Sequence, residues 1–377
     1  MSFAEGWPIF MYKIAILDDL INVNVSAIFP TNIKYFVSKY VYTNPYQFSH
    51  STKIINILSQ LSSLSDIELD NLVVLNQERT STIETLSKAL LYCFHSEYNL
   101  LLMSLGTVRP SDANSLYKIV KYLLCKNTII IAAISNDNYL TFPASFPGVI
   151  GVRYDFNLIY QHNAIHYVSE DALNSNLLVS YDFSTFGKEY HGCNSMSVPI
   201  VASAILNMLP KVKNCNVVNN LFKKTLAHTD MITSLTDLFH SPSAISTLPE
   251  VFIIDRAILD YINIENIFNE FLKNGGYEVL ALSEIDTFDP RIINLNAELI
   301  RQIFFRRLFF LYCCDILIIF INKPSVIIEN SEHYLRVIAT HNGIEITSPN
   351  GKVELLNNAS TKELVKISII ALSAYYD

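Results

Sequence analysis

Ile14-Ala15-Ile16-Leu17-Asp18 is an unbroken apolar run that ends on a carboxylate. A strand with apolar residues on both faces is buried on both, as in a parallel sheet covered by helices. Working outward, similar runs return at Asn71 to Leu75, Leu100 to Leu105 and Thr128 to Ile134. Between them helical spacing covers His50 to Leu61, Ser81 to His95 and Asp112 to Cys125. This alternation predicts an α/β fold built on a doubly wound, mainly parallel sheet. Functional side chains of such sheets gather at the carboxyl ends of the strands. That rule directs attention to Asp18, to Ser104, Leu105 and Gly106, and to Ser135 and Asn136.

Composition narrows the possibilities further. The chain has 377 residues, room for two domains, and its formal charge of -8 lacks the basic excess of a nucleic-acid footprint. Half of the residues are hydrophobic and only 16% are charged, against roughly 25% in ordinary soluble domains, which excludes disorder. The six cysteines form no C-x-x-C pair and no His/Cys cluster at zinc spacing, so reduced thiols in a cytoplasm and no metal are expected. No signal peptide is visible at the N-terminus. The longest apolar stretch, Leu308 to Ile321, is too short and, with Asp315, too polar to span a bilayer.

Residues 152 to 192 read as loop-rich with short strands, followed by an apolar helix from about Ser195 to Leu209 that Pro210 stops. After the polar segment His240 to Pro249 a second β-α succession begins: Val251 to Asp255, a helix near Ile264 to Leu272, Tyr277 to Leu282, a helix near Ala297 to Tyr312, and Asp315 to Ile321. Gly275-Gly276 reads as a helix stop. A hairpin from Ile344 to Leu355 turns at Pro349-Asn350-Gly351, and a last helix covers Thr361 to Ala374. The expected domains are 1–245 and a smaller C-terminal α/β domain, 246–377.

Four segments carry chemistry: Asp18 at its strand end, His50-Ser51-Thr52 at a helix start, Ala132-Ala133-Ile134-Ser135-Asn136 at another strand end, and Gly192-Cys193-Asn194-Ser195-Met196-Ser197-Val198-Pro199 opening a helix. Acyl transfer needs an alcohol, an imidazole to take its proton, a carboxylate to orient the imidazole and an amide donor for the oxyanion. The order and spacing of these segments resemble the motifs D-[ST]-G, H-G-T-H, A-A-G-N and G-T-S-M-A-x-P of the subtilisin-like serine peptidases. Met103-Ser104-Leu105-Gly106 is similar to the strand lining the substrate cleft in that family, and Phe142 to Val152 is similar to its Y-P-A-x-Y-P-x-V-I-x-V run. The resemblance covers roughly residues 12 to 210.

The resemblance implies a subtilisin-like sheet with Ser195 as nucleophile, His50 as general base and acid, Asp18 as the orienting carboxylate, and Asn136 with the Ser195 N–H as oxyanion donors. It implies that substrate backbone adds as a strand beside Ser104, Leu105 and Gly106, with Ala133, Ile134 and Ser135 at the first specificity pocket. Ile134 and Ser135, with the short connection from Asn136 to Pro143, narrow that pocket, so a small P1 residue is expected. Departures stand at Asp19-Leu20, Ser51, Ser135 and Cys193-Asn194, where the family keeps small residues or glycine. Asp19 competes with Asp18 for the place of triad acid, and the motif favours Asp18. His162, His166 and His191 read as surface or loop histidines, and Arg306-Arg307 as a solvated helix face. No calcium ligand set is recognisable, and no cofactor is expected.

With Asp18 so near the first residue, no inhibitory pro-segment is expected. A cytoplasmic protease without one needs a narrow cleft or a presented substrate. The expected function is therefore a serine endopeptidase removing the leader from a ribosomally made, modified precursor peptide. Its expected partners are that peptide and, through 246–377, a second copy or a maturation partner. The alternatives are a general intracellular protease of the same type and a subtilase-like scaffold that binds a peptide without cutting it.

Overall fold

The computed structural model describes residues 12–22, 31–37, 49–137, 139–156, 163–168, 177–208, 227–229, 250–255, 264–283, 289–294, 314–321, 336–340, 343–347 and 353–356. It divides into two compact units, Met1–Thr107 with Ser115–Leu238 and Val108–Asn114 with Phe239–Asp377. The expected α/β fold with a mainly parallel sheet is observed.

Unit 1 carries β1 (Tyr12–Asp18), β2 (Thr31–Tyr35), α1 (His50–Leu61), β3 (Ile67–Val73), α2 (Ile83–Ser96), β4 (Leu100–Met103), most of α3 (Pro110–Cys125), β5 (Ile129–Ala133), β6 (Ile150–Tyr154), β7 (Ala164–Val168), β8 (Leu177–Ser180), α4 (Asn194–Met208) and β9 (Ala227–Thr229). Its sheet runs β2-β3-β1-β4-β5-β6-β8-β7-β9. Among the described residues, only the β7–β8 pairing of this sheet is antiparallel. The apolar runs explain the layering, because alternate residues of a strand face opposite sides. Ile14 and Ile16, Leu100 and Leu102, and Ile129 and Ile131 share one core with Ile54, Ile57 and Leu58 of α1 and Val198, Val201 and Ile205 of α4. Ala15, Leu17, Leu101, Met103 and Ile130 point the other way and are equally buried, as are Leu86 and Leu90 of α2 and Leu116 and Val120 of α3.

β1 has β3 on one side and β4 on the other, so it lies where the strand order reverses. In open α/β sheets ligands bind in the crevice at such a switch point, outside the carboxyl ends of the strands. Asp18 is the last residue of β1.

Two expectations change in detail. β3 begins at Ile67, ahead of the apolar run, because Asp70 is held by Asn32 and by the Tyr98 hydroxyl and so tolerates burial. His166, read as a surface or loop histidine, lies in β7 opposite Leu178 and is buried. His191 is exposed, while His162 lies outside the described residues.

Unit 2 carries β10 (Glu250–Asp255), α5 (Ile264–Gly275), β11 (Val279–Ser283), β12 (Ile292–Asn294), β13 (Ile316–Ile321), β14 (Arg336–Thr340), β15 (Gly343–Thr347) and β16 (Val353–Leu356). They form one sheet in the order β12-β11-β13-β10-β14-β15-β16, its last two pairings antiparallel. Gly276 ends α5 with φ of 68° and returns its N–H to the Leu272 carbonyl, a conformation that glycine adopts without strain. The helices expected at 297–312 and 361–374, the hairpin tip at 349–351 and Arg306-Arg307 lie outside the described residues.

Candidate active site

The switch point collects side chains from four distant stretches. The Asp18 carboxylate, 1% exposed, accepts the Asp19 N–H at 2.7 Å through Oδ1, while its Oδ2 lies 2.7 Å from Nδ1 of His50. An ionised carboxylate only accepts, so Nδ1 carries the proton and Nε2 keeps its lone pair. That lone pair faces Ser195 Oγ at 2.9 Å. His50 is the first residue of α1, and Ser195 is the second of α4, where unpaired backbone N–H groups favour negative charge.

Burial disfavours the charged imidazole. The Asp18 carboxylate, through its charge and its hydrogen bond, and then Asp19 outweigh it, so His50 is held above its ordinary value. Asp19 does not compete for the ring. Its Oδ2 and Oδ1 accept the backbone N–H groups of His50 at 3.0 Å and Ser51 at 2.8 Å.

Asn136, two residues past Ile134 in the loop after β5, is exposed. Its Oδ1 accepts the Asn194 N–H at 3.1 Å, which identifies the oxygen end of the amide and fixes it beside the start of α4. Ser104 Oγ donates to the Ser195 carbonyl at 3.3 Å. Leu105 is half-buried and Gly106 exposed, whereas Ala133 and Ile134 turn into the core and Ser135 is half-buried. A Cβ on Gly106 would stand 2.7 Å from both the Phe142 carbonyl oxygen and Thr141 Cγ2. Segment 139–142 lies hard against it: Thr107 and Phe142 exchange backbone bonds of 2.9 and 2.8 Å, and the Ser135 N–H donates to Thr141 Oγ1 at 2.8 Å.

Sequence reasoning missed Asn194, which occupies one of the departures from the motif. Its side chain is fully buried, Nδ2 donating to the Ser135 carbonyl at 2.8 Å and Oδ1 accepting the Tyr154 N–H at 2.7 Å. One amide thus ties the start of α4 to the ends of β5 and β6. A signal was present, since Asn at a helix start is a capping type. Asn194→Ala strands two buried backbone groups at about 1–3 kcal/mol each. A fall in stability of roughly 2–4 kcal/mol, read as a lowered unfolding midpoint in urea, is expected; a change under about 0.5 kcal/mol, the size typical of a neutral surface substitution, would contradict the tie. Thr141 and Cys193, whose Sγ lies 3.3 Å from Ser195 Oγ, were also not assigned to the site.

Among the described residues no group of three or more His, Cys, Asp or Glu side chains is placed to hold a metal ion, and no helix is long and apolar enough to cross a membrane.

No family model and no curated protein matches the chain. Solved structures do resemble it. A cold adapted subtilisin-like serine proteinase is 14% identical over 59% of this chain and 85% of its own, with a TM-score of 0.43. The nisin leader peptidase NisP from Lactococcus lactis is 15% identical over 60% and 86%, with a TM-score of 0.40. The prenylagaramide maturation protease PagA is 19% identical over 55% and 78%, with a TM-score of 0.37.

Proposed function

We propose that the chain is a serine endopeptidase of the subtilisin type. The observation that carries the reading is the hydrogen-bonded line Asp18, His50, Ser195, with 2.7 Å and 2.9 Å steps and the ring oriented to accept from the alcohol. In the proposed reaction His50 Nε2 takes the Ser195 proton as Oγ attacks the scissile carbonyl, and Asp18 stabilises the imidazolium. Asn136 Nδ2 and the Ser195 N–H receive the oxyanion. His50 then returns the proton to the leaving amine, and water repeats the sequence on the acyl-enzyme. A fluorophosphonate probe tests this directly: one label per chain on Ser195 is expected, and an unlabelled, folded protein would leave the peptide-binding scaffold as the better reading.

We further propose that substrate backbone lies along Ser104, Leu105 and Gly106, with Ser135 facing it and Ala133 and Ile134 behind. Thr141, wedged between Gly106 and Ser135, fills the space that a large P1 side chain needs. Cleavage profiling is expected to favour Gly, Ala or Ser at P1 over Phe or Leu by roughly 100-fold, the scale of steric discrimination in a closed pocket. A preference for aromatic P1 would reverse this. A cleft restricted in this way would suit one presented substrate better than general digestion, and on that ground we propose leader removal from a modified precursor peptide as the narrower reading. Cys93, Cys125 and Cys193 stand as thiols, which agrees with the proposed cytoplasmic location. Residues 246–377 are proposed as the accessory domain that docks the precursor or a partner.

A further inference from the structure

We propose that Asp19 is a positioning residue for His50, a second buried carboxylate that grips the backbone of the imidazole-bearing residue while Asp18 grips its ring. The proposal rests on the protease reading for its kinetic consequences, though not for the contact itself.

Consecutive residues of one turn hold both ends of His50. Asp18 Oδ2 meets Nδ1 at 2.7 Å, and Asp19 takes the N–H groups of His50 and Ser51, the first two of α1. The next N–H, from Thr52, goes to Ser49 Oγ at 3.1 Å, and that of Lys53 goes to the Ser49 carbonyl. The donors that a helix start leaves open are therefore all taken. A Ser or Asn at the N-cap suffices for most helices. Here a carboxylate from the turn after β1 has been added, at the positive end of the helix.

The turn that presents Asp19 is itself locked. Ser51 Oγ donates to the Asp19 carbonyl at 2.6 Å, and Asn71 Nδ2 donates both to that carbonyl and to Ser51 Oγ, each at 3.1 Å. Asn71 Oδ1 accepts the Ile21 N–H, and Thr52 Oγ1 accepts the Asn22 N–H. Asp19, Ser51 and Asn71 are at most 3% exposed. Two departures from the subtilisin motifs, Asp19 and Ser51, thus bond to one another: each fills what the other needs, and the pair joins β1 to α1 where smaller residues would leave backbone alone.

Holding a second carboxylate there has an electrostatic consequence. Burial, and then the charge of Asp18, push Asp19 up to about 6, against the pull of the two N–H groups. The charged groups acting on His50 are Asp18, Asp19 and Arg79, and only Arg79 lowers it. The Cys193 thiol lies beyond Ser195. His50, held above its ordinary value, takes its proton first as pH falls, and Asp19 follows at about 6. The Asp19 charge is therefore present through the His50 titration and raises the pH at which the site switches off.

The test compares Asp19→Asn and Asp19→Glu with wild type, each checked for folding by thermal unfolding. Asp19→Asn removes the charge and turns one NH2 toward a backbone donor. The acid limb of its kcat/KM profile is expected to move to lower pH, with kcat down roughly ten-fold through misplacement of the ring. Asp19→Glu keeps the charge but not the reach, so it retains the position of the acid limb while losing kcat. The His50 ring titration, followed by NMR, is read in parallel and needs no activity. An unlabelled wild type would sink the protease reading and leave the NMR shift to decide the Asp19–His50 link. A folded Asp19→Asn with unmoved limb and unmoved His50 titration overturns the proposal. If Asp19→Asn does not fold, Asp19→Glu with wild-type kcat overturns it equally.

Discussion

Ser195→Ala is expected to end labelling by a fluorophosphonate and to lower peptide hydrolysis by about 10^4–10^6-fold, the range found when a triad alcohol is removed from serine peptidases. The substitution deletes the only atom proposed to bond covalently to substrate. What remains is the binding of the scissile carbonyl by Asn136 and backbone N–H, which is why the loss stops short of the uncatalysed rate. His50→Ala is expected to cost nearly as much, and the double substitution little more, because alcohol and imidazole act in one step. Ser195→Ala is the cleaner measurement. Removing His50 leaves the Asp18 carboxylate buried without the ring that accounts for its place there, and a folding defect could then pass for a catalytic one. Turnover by Ser195→Ala within ten-fold of wild type, with contaminating peptidase excluded, would falsify the nucleophile assignment.

The second large effect is at Asn136. Asn136→Ala is expected to lower kcat by about 10^2–10^3 with little change in KM, since an oxyanion donor is worth most when the carbonyl has become tetrahedral. A complication comes from the structure: Asn136 Oδ1 also accepts the Asn194 N–H at the helix that carries Ser195, so part of the loss could reflect a shifted nucleophile. Asn136→Asp separates the two. It retains the acceptor for Asn194 while replacing the donor by a negative charge where the oxyanion would form. If the amide works as a donor, Asn136→Asp is at least as damaged as Asn136→Ala; if it works only by holding α4, Asn136→Asp recovers most of the rate.

Much of this site was legible in the chain because its parts are local. Apolar runs ending on Asp18 and near Asn136 marked strand ends, and His50 and Ser195 each sat where helical spacing began, as they do in β1, α1 and α4. Less legible were the departures from the motifs. In one dimension Asp19, Ser51, Ser135 and Asn194 looked like bulk added to a site that needs bare backbone. In the fold Asp19 and Ser51 satisfy one another, and the Asn194 amide bonds the backbones of Ser135 and Tyr154. No period in the sequence reports such pairing, because its members come from different elements. His166 was misread as well: it lies in a strand and is buried.

The sequence by itself determined the α/β class, the direction of the sheet and the four polar residues placed at strand and helix ends, because burial on both faces and helical spacing are properties of short stretches. Only the tertiary structure decided which of two adjacent acids meets the imidazole, how Thr141 closes on Gly106, and that an alcohol 145 residues from His50 comes within 2.9 Å of it. Those outcomes depend on strand order and register, where a shift of one residue turns a side chain to the opposite face.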